Sequence, residues 1–597
     1  MNQETRQCQN CKNPFTIEPE DFAFYEKIKV PPPTWCPLCR LQRVMLWRNE
    51  RTLYRRRDAL SGKEIISIWA PEKPLVVIDA KQWWSDAWNP LDYGQKYDFS
   101  KTFFAQFQEL MRRVPLAALF NINAVNSDYC NHAEDSKDCY FLFEGIWNEN
   151  VCYSKIIAHC KDSFDLYSAD KSELTYENIN CNECYRVSFS KNATACTDSA
   201  FLLDCRGCSN CFGCVNLRNK SYYIFNQPCT KEEYAEKLRA LNIGSFRAVE
   251  EIKTRVREFQ KPFPRRFAHL VNSPGSTGNV LADCKDCIWC FDCFEGAENC
   301  RYMKNGGYGL KDSEVGHGAG AGDLMDEVAD TGIGTSRVFA TVVLRNGHDI
   351  RYAFDCHGVN DLFGCVGIRN KSYCILNKQY SKEEYEALLP QIISHMNEMP
   401  YVDSRGRVYR YGQFFPPELS LFAYNETAAQ EYFPLTREQA LEKGYVWRDP
   451  DTRNYAITLM PDALPDHIRD VPDSILKETI GCAHYRGEAS IVRCGEQCTT
   501  AFRIIPQELE FYRNMNLPLP RLCPNCRHYQ RLKQRNPLML WHRACTCSGS
   551  TSDNKAYENQ SAHLHGANHC PNQFETSYAP DRAEIVYCEQ CYQQEVV

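Results

Sequence analysis

Phe212-Gly-Cys-Val-Asn-Leu-Arg-Asn-Lys-Ser-Tyr-Tyr-Ile-Phe-Asn226 returns as Phe363-Gly-Cys-Val-Gly-Ile-Arg-Asn-Lys-Ser-Tyr-Cys-Ile-Leu-Asn377, 151 residues later. The same offset lays Asp204-Cys205 on Asp355-Cys356 and Phe143-Glu-Gly145 on Phe294-Glu-Gly296. A whole segment is therefore duplicated, roughly 125–241 onto 276–392. Inside the first copy, short apolar segments begin at Cys139, Val151, Asp162, Glu183, Ala200, Cys211 and Ser221, with Asp, Asn, Lys and Ser between them. Short strands separated by polar turns at near-constant spacing predict stacked parallel β-coils, two strands to a coil of roughly 22–24 residues. A helix opening at Lys231-Glu-Glu-Tyr or Lys382-Glu-Glu-Tyr caps each copy. The alternative is a set of antiparallel hairpins around further metal ions.

A chain of 597 residues is too long for one core and should hold about three to five units. Its net charge of −7 argues against a surface that coats nucleic acid throughout, so any basic function must be local. The 34 cysteines would mean disulfides in a small secreted domain. Here the first residues enter a metal knuckle with no apolar leader, and no long apolar run is present, so the expectation is a cytoplasmic chain with no membrane partner.

Two modules share one design. Cys8-x2-Cys11 and Cys36-Pro-Leu-Cys39 are separated by 24 residues, as are Cys494-x3-Cys498 and Cys523-Pro-Asn-Cys526. An offset of 487 also relates Phe15 to Phe502, Pro19 to Pro506, and Phe24-Tyr25 to Phe511-Tyr512. Two close cysteine pairs supply the four soft ligands of tetrahedral zinc. Near the end of the chain, Cys545, Cys547, Cys570, Cys588, Cys591 and the histidines His563, His565 and His569 form a third cluster. Cys588 and Cys591 are expected ligands, with Cys547 and Cys570 to complete the set and Cys545 in competition. About three zinc sites follow. The runs Cys205, Cys208, Cys211, Cys214 and Cys284, Cys287, Cys290, Cys293 leave room for more; the competing reading makes them a ladder of small core residues.

The terminal modules resemble zinc-ribbon or treble-clef families, whose pattern runs CxxC, F, an FY pair, P and CPxCR, over about 40 residues each time. With its CPLCR, RNKSY and VYCEQCY blocks, the chain as a whole resembles large bacterial cysteine-rich zinc-ribbon proteins. That resemblance implies zinc binding and brings no established activity. The expected fold is multidomain and mainly β: a duplicated parallel β-solenoid-like repeat region flanked by treble-clef or zinc-ribbon modules with short helices. The expected boundaries are 1–57 (zinc module with basic helix), 58–124 (aromatic connector with a helix near Phe103 to Arg113), 125–241 (first repeat copy), 242–275 (helix and linker), 276–397 (second copy), 398–480 (Pro-rich connector with a helix near Thr436 to Lys443), 481–543 (second zinc module) and 544–597 (terminal ribbon). Gly316 to Gly322 lacks the Lys-Ser/Thr of a phosphate loop and is expected to be a long turn.

Cations follow each second knuckle: Arg40, Arg43, Arg48, Arg51, Arg55, Arg56 and Arg57 in one, and Arg527, Arg531, Lys533 and Arg535 in the other. Held on zinc-anchored helices, these can lie along phosphates; the competing reading is a solvated or internally paired face. No catalytic residue stands out. The leading expectation is a non-enzymatic zinc-binding scaffold whose basic elements bind RNA, ribosomal RNA included, and whose repeat surface binds protein. One alternative is a hydrolase built on a metal or on repeat carboxylates such as Asp135, Asp138, Asp162 and Asp165; another is a purely protein-binding assembly module.

Overall fold

The structure, a computed structural model, describes residues 2–449, 455–485, 494 and 496–596. Two compact units are each assembled from separated stretches of chain: Met1–Phe120 with Ala268–Arg448, and Asn121–Phe267 with Asp449–Val597. The N-terminal cysteine module thus folds with the second repeat copy, and the C-terminal modules fold with the first. The chain is mainly β, and most of the strand pairing is parallel.

In the first copy, Asn131–Glu134 pairs with Phe143–Ile146, which pairs with Lys155–Ala158, then Tyr167–Asp170, then Ile179–Asn182, all parallel. Each partner lies 12 residues on, about half the advance expected from the sequence. Backbone conformation supplies the reason. From Asn123 to Phe225 every third residue has positive φ. A left-handed residue turns the chain sharply, so four three-residue sides bring it back beside itself. Asn and Asp tolerate this conformation best and occupy many of these positions. Their side chains also link successive turns: Asn123 donates to Asp135, Asn126 to Asp138 and Asn192 to Asp204.

The residue after each left-handed position points into a narrow interior, where cysteines alternate with small and aliphatic residues such as Ala133, Leu142, Val151 and Leu202. Cys160 Sγ donates to the carbonyls of Ala158 and Ala169. Ser172, one turn later, uses its hydroxyl on Asp170 and Cys181, and Cys184 repeats the pattern on Asn182 and Ala193. The interior therefore selects a small side chain with one donor, and Cys adds apolar burial to what Ser provides. Helices Lys231–Leu241 and Phe246–Gln260 cover this copy, with Tyr234, Val249, Ile252 and Val256 packed against Phe201 and Phe212. A capping box between Thr230 and Glu233 starts the first of them, where the sequence predicts it.

The second copy lies in a nine-stranded sheet whose parallel partners between Gly278 and Ile375 lie 12 or 13 residues apart. The run Gly316 to Gly322 is not a long turn. It lies in strands Glu314–Gly320 and Gly322–Gly332, paired in parallel. Glycine is needed where backbone comes close or φ is positive: a Cβ on Gly322 would stand 2.6 Å from the Thr335 carbonyl oxygen, and Gly318 has a φ of +70°. Helix Lys382–Glu398 closes the copy behind its own Ser381/Glu384 capping box.

The aromatic connector builds the core of this unit. Trp69 stacks on Phe422 at 4.7 Å, Phe107 on Phe415 at 4.9 Å, and Phe103 meets Phe363 at 5.1 Å. Helices Phe103–Arg113 and Arg437–Glu442 form where the sequence places them.

Candidate metal centres

Each metal candidate begins as a β-knuckle facing a helix N-terminus. At the N-terminal module, Glu4–Gln7 pairs antiparallel with Pro14–Ile17 and carries Cys8 and Cys11 in its turn. Cys36 is the N-cap of helix Pro37–Met45, which places Cys39 in the first turn. The four donor atoms of Cys8, Cys11, Cys36 and Cys39 lie within 4.8 Å of one another. A tetrahedral zinc–thiolate group with bonds near 2.3 Å has sulfur–sulfur edges of about 3.8 Å; Cys11 and Cys36 are 3.8 Å apart. The Cys36 amide donates to Cys8 Sγ at 3.2 Å, and Asn10 donates to Cys39 Sγ at 3.3 Å. Such N–H···S bonds orient thiolate ligands and stabilise their charge.

The second module keeps this plan with one member changed. Cys482, Cys498, Cys523 and Cys526 form the quartet, with Cys482–Cys526 at 3.8 Å and Cys498–Cys523 at 3.9 Å. Cys482 follows strand Ile480–Gly481, and the Cys523 amide donates to its sulfur at 3.3 Å, as Cys36 does to Cys8. Sequence reading named Cys494 for this position and missed Cys482. The signal was present: the 487 offset carries Cys11, Cys36 and Cys39 onto Cys498, Cys523 and Cys526, but it carries Cys8 onto Gly495 rather than Cys494. Cys494 lies 3.7 Å from Cys526 and groups with it, His484 and Glu496.

At the C-terminal module Cys545, Cys570, Cys588 and Cys591 come together, with Cys570–Cys588 at 3.9 Å. Cys547 instead groups with His563, His565 and Cys591. His569 turns away, its two ring nitrogens engaged by the Cys570 carbonyl and Asp553. In each quartet one thiol is driven strongly toward thiolate by hydrogen bonds from its neighbours. Cys8 is so placed by Cys36 and Cys39, Cys523 by Cys482, Cys498 and Cys526, and Cys588 by Cys545 and Cys591. The quartets suit a divalent cation that binds thiolate, and none of the 34 cysteines is in a disulfide.

The central runs are buried interior positions. Cys205, Cys208, Cys211 and Cys214 each donate Sγ to backbone carbonyls, as do Cys284, Cys287, Cys290 and Cys293.

The cations expected to meet phosphate are mostly turned inward. Arg40 is 2 % exposed and reaches Asp326, Glu327 and the Tyr25 hydroxyl; Arg43 adds a second contact to Glu327. In the other unit Arg527 reaches Asp165 and the Tyr512 hydroxyl, and Arg531 reaches the same Asp165. Arg48 pairs with Glu50 and Arg51 with Glu431, both within the interior. Arg535 lies over the Tyr167 ring and donates to its hydroxyl. Helix Pro37–Met45 ends before Arg48, so Arg55, Arg56 and Arg57 sit on strand Tyr54–Arg57 and not on a basic helix. Arg56 is spent on the carbonyls of Ala70, Lys73 and Leu75. Arg55, paired with Glu64, Arg57 and Lys533, paired with Glu496, are the exposed members. The reason for the inward turn is charge compensation: the repeat strands and turns beneath each helix offer buried carboxylates that require a counter-charge.

The repeat carboxylates divide by surroundings. Asp165 is buried under Arg527, whereas Asp138 and Asp162 line a cleft of about 620 Å³ with Asp128, Glu149 and Lys161. Asp135, Asp138, Asp162 and Asp165 all occupy left-handed turn positions, as expected of turn residues. No helix among the described residues is long and apolar enough to cross a membrane.

No protein-family model and no curated protein matches the chain. Among solved structures, one from Desulfovibrio desulfuricans G20 described as an acetyltransferase aligns at 10 % identity, covering 49 % of this chain and 86 % of its own, with a TM-score of 0.10. A superposition that poor carries no argument about fold or activity.

Proposed function

We propose that the protein is a non-enzymatic, zinc-organised scaffold in which each cysteine quartet fixes a knuckle helix, and the arginines of two of these helices clamp a β-solenoid repeat that presents its outer surface to protein partners. The observation that carries this reading is the burial of Arg40 and Arg527 against repeat carboxylates at equivalent places in the two units. Closed quartets with four thiol ligands leave no open coordination position for a hydrolytic water, which favours a structural metal over a catalytic one. Of the cations expected to meet phosphate only Arg55, Arg57 and Lys533 remain exposed, which favours protein over RNA as the partner in a reducing cytoplasm.

The test is recovery of the tagged chain from native lysate with and without nuclease. Defined protein partners that survive nuclease, and that are lost when zinc is chelated, are expected. Nuclease-sensitive RNA, released when Arg55 and Arg57 are changed to Glu, would replace the protein-scaffold reading with the RNA one.

A further inference from the structure

The C-terminal quartet does not stand alone. Cys591 belongs both to the set Cys545, Cys570, Cys588, Cys591 and to the set Cys547, His563, His565, Cys591, and within each set the donor atoms lie within 4.8 Å of one another. Cys547 Sγ is 3.5 Å from His563 Nδ1, and Cys591 Sγ is 3.4 Å from His565 Nε2. Zinc bonds near 2.3 Å to sulfur and 2.0–2.1 Å to nitrogen give a mixed tetrahedral edge of about 3.5 Å.

The outer partners of the two histidines point the same way. His563 turns Nε2 to the Glu595 carboxylate at 3.3 Å, with both side chains fully buried. Glu595 is itself held by the Tyr557 hydroxyl and the Gln560 amide. His565 gives Nδ1 to the Asn568 carbonyl at 2.7 Å. Each ring thus places a proton on the nitrogen facing away from the sulfurs, and each leaves a lone pair on the nitrogen facing them. That arrangement, an acceptor behind the imidazole and a thiolate beside it, is how metal-ligating histidines are oriented. His569, equally near in sequence, has acceptors on both nitrogens and is excluded.

Charge supplies a further reason. Four thiolates around one divalent ion leave two negative charges uncompensated in a buried site. A second divalent ion, taken up with the Cys547 thiolate and two neutral imidazoles, lowers that excess to one.

We propose that Cys591 is a bridging thiolate and that the C-terminal module binds two divalent ions of the zinc class, one in an all-sulfur tetrahedron and one in a mixed sulfur and nitrogen tetrahedron. The proposal rests on the reading that the quartets hold metal. It deepens that reading by assigning a binuclear site.

The full-length protein, purified anaerobically, is examined by native mass spectrometry for bound zinc and, after exchange, by 113Cd NMR. The double variant His563→Ala/His565→Ala is expected to carry one ion fewer than the parent, as is Cys547→Ser. Cys591→Ser is expected to lose two. The parent's cadmium spectrum, which needs no variant to fold, should contain one all-sulfur and one mixed-ligand resonance split by mutual coupling through the shared sulfur. An unchanged metal count in the double histidine variant, or the absence of any mutually coupled pair, overturns the binuclear site while leaving the quartets standing. A parent that binds no metal overturns the quartet reading itself, and the bridged site falls with it.

Discussion

Nη2 of Arg40 donates to both carboxylate oxygens of Asp326, at 2.5 and 2.6 Å, with both side chains almost wholly buried. Arg40 follows directly on the metal-facing Cys39, and Asp326 lies on repeat strand Gly322–Gly332. Arg527 stands in the same relation to Cys526 and reaches Asp165 at 2.7 Å. The supporting arginine is three residues on in one helix, Arg43, and four in the other, Arg531; both spacings lie on the same helix face.

Removing one partner of a buried ion pair strands the other charge. Arg40→Ala should therefore destabilise its unit by about 3–5 kcal/mol, whereas Arg40→Lys, which keeps the charge but not the fork, should cost less. Denaturant unfolding measures both. Adding Asp326→Asn to Arg40→Ala should recover part of the loss, and a purely additive double variant would show that the pair is not coupled.

Metal removal should act first on the knuckles. Chelation is expected to abolish amide protection in helices Pro37–Met45 and Pro524–Leu532 before it affects the repeat strands, as followed by hydrogen exchange. Cys11, the exposed member of its quartet, should become reactive to maleimide only after chelation.

The interior cysteines should tolerate serine and resist bulk. Cys365 Sγ donates to the carbonyls of Phe363 and Cys374 in a fully buried position. Cys365→Ser keeps the donor and should cost on the order of 1 kcal/mol. Cys365→Leu overfills the turn and should cost about 1–3 kcal/mol by thermal or chemical unfolding.

Glu314 gives a pH signature. Burial pushes its carboxyl up from the ordinary 4.5 to about 7, against the opposing pull of Arg40. Between those values the folded protein holds a proton that the unfolded chain releases. Its contribution to stability is therefore full below pH 4.5 and is lost as the pH rises through about 7. Glu314→Gln, neutral throughout, should gain stability relative to the parent as the pH is raised across that window. Parallel denaturation curves at its two ends read the difference.

Much of the local structure was legible from residue pattern alone. The repeated Lys-Glu-Glu-Tyr block announced the helices at Lys231 and Lys382, and an amphipathic pattern announced Phe103–Arg113. The 12-residue pairing was half hidden. The apolar segments mark whole turns, and nothing in their spacing shows that a left-handed residue bends the chain at every third position. Gly316 to Gly322 reads as a turn because glycine's need for close approach is invisible without the neighbouring strand whose Thr335 carbonyl meets Gly322.

The sequence by itself determined that cysteine pairs near both ends can hold metal and that the centre is duplicated, because thiol pairs and repeats are properties of spacing along the chain. Tertiary structure decided which thiols meet and what the arginines do. Cys482 replaces Cys494 in its quartet because strand Ile480–Gly481 delivers it there, and its approach to Cys526 spans 44 residues. Arg40 and Arg527 turn inward because carboxylates more than 280 residues away are buried beside them and need a counter-charge, a requirement that exists only once the chain has folded.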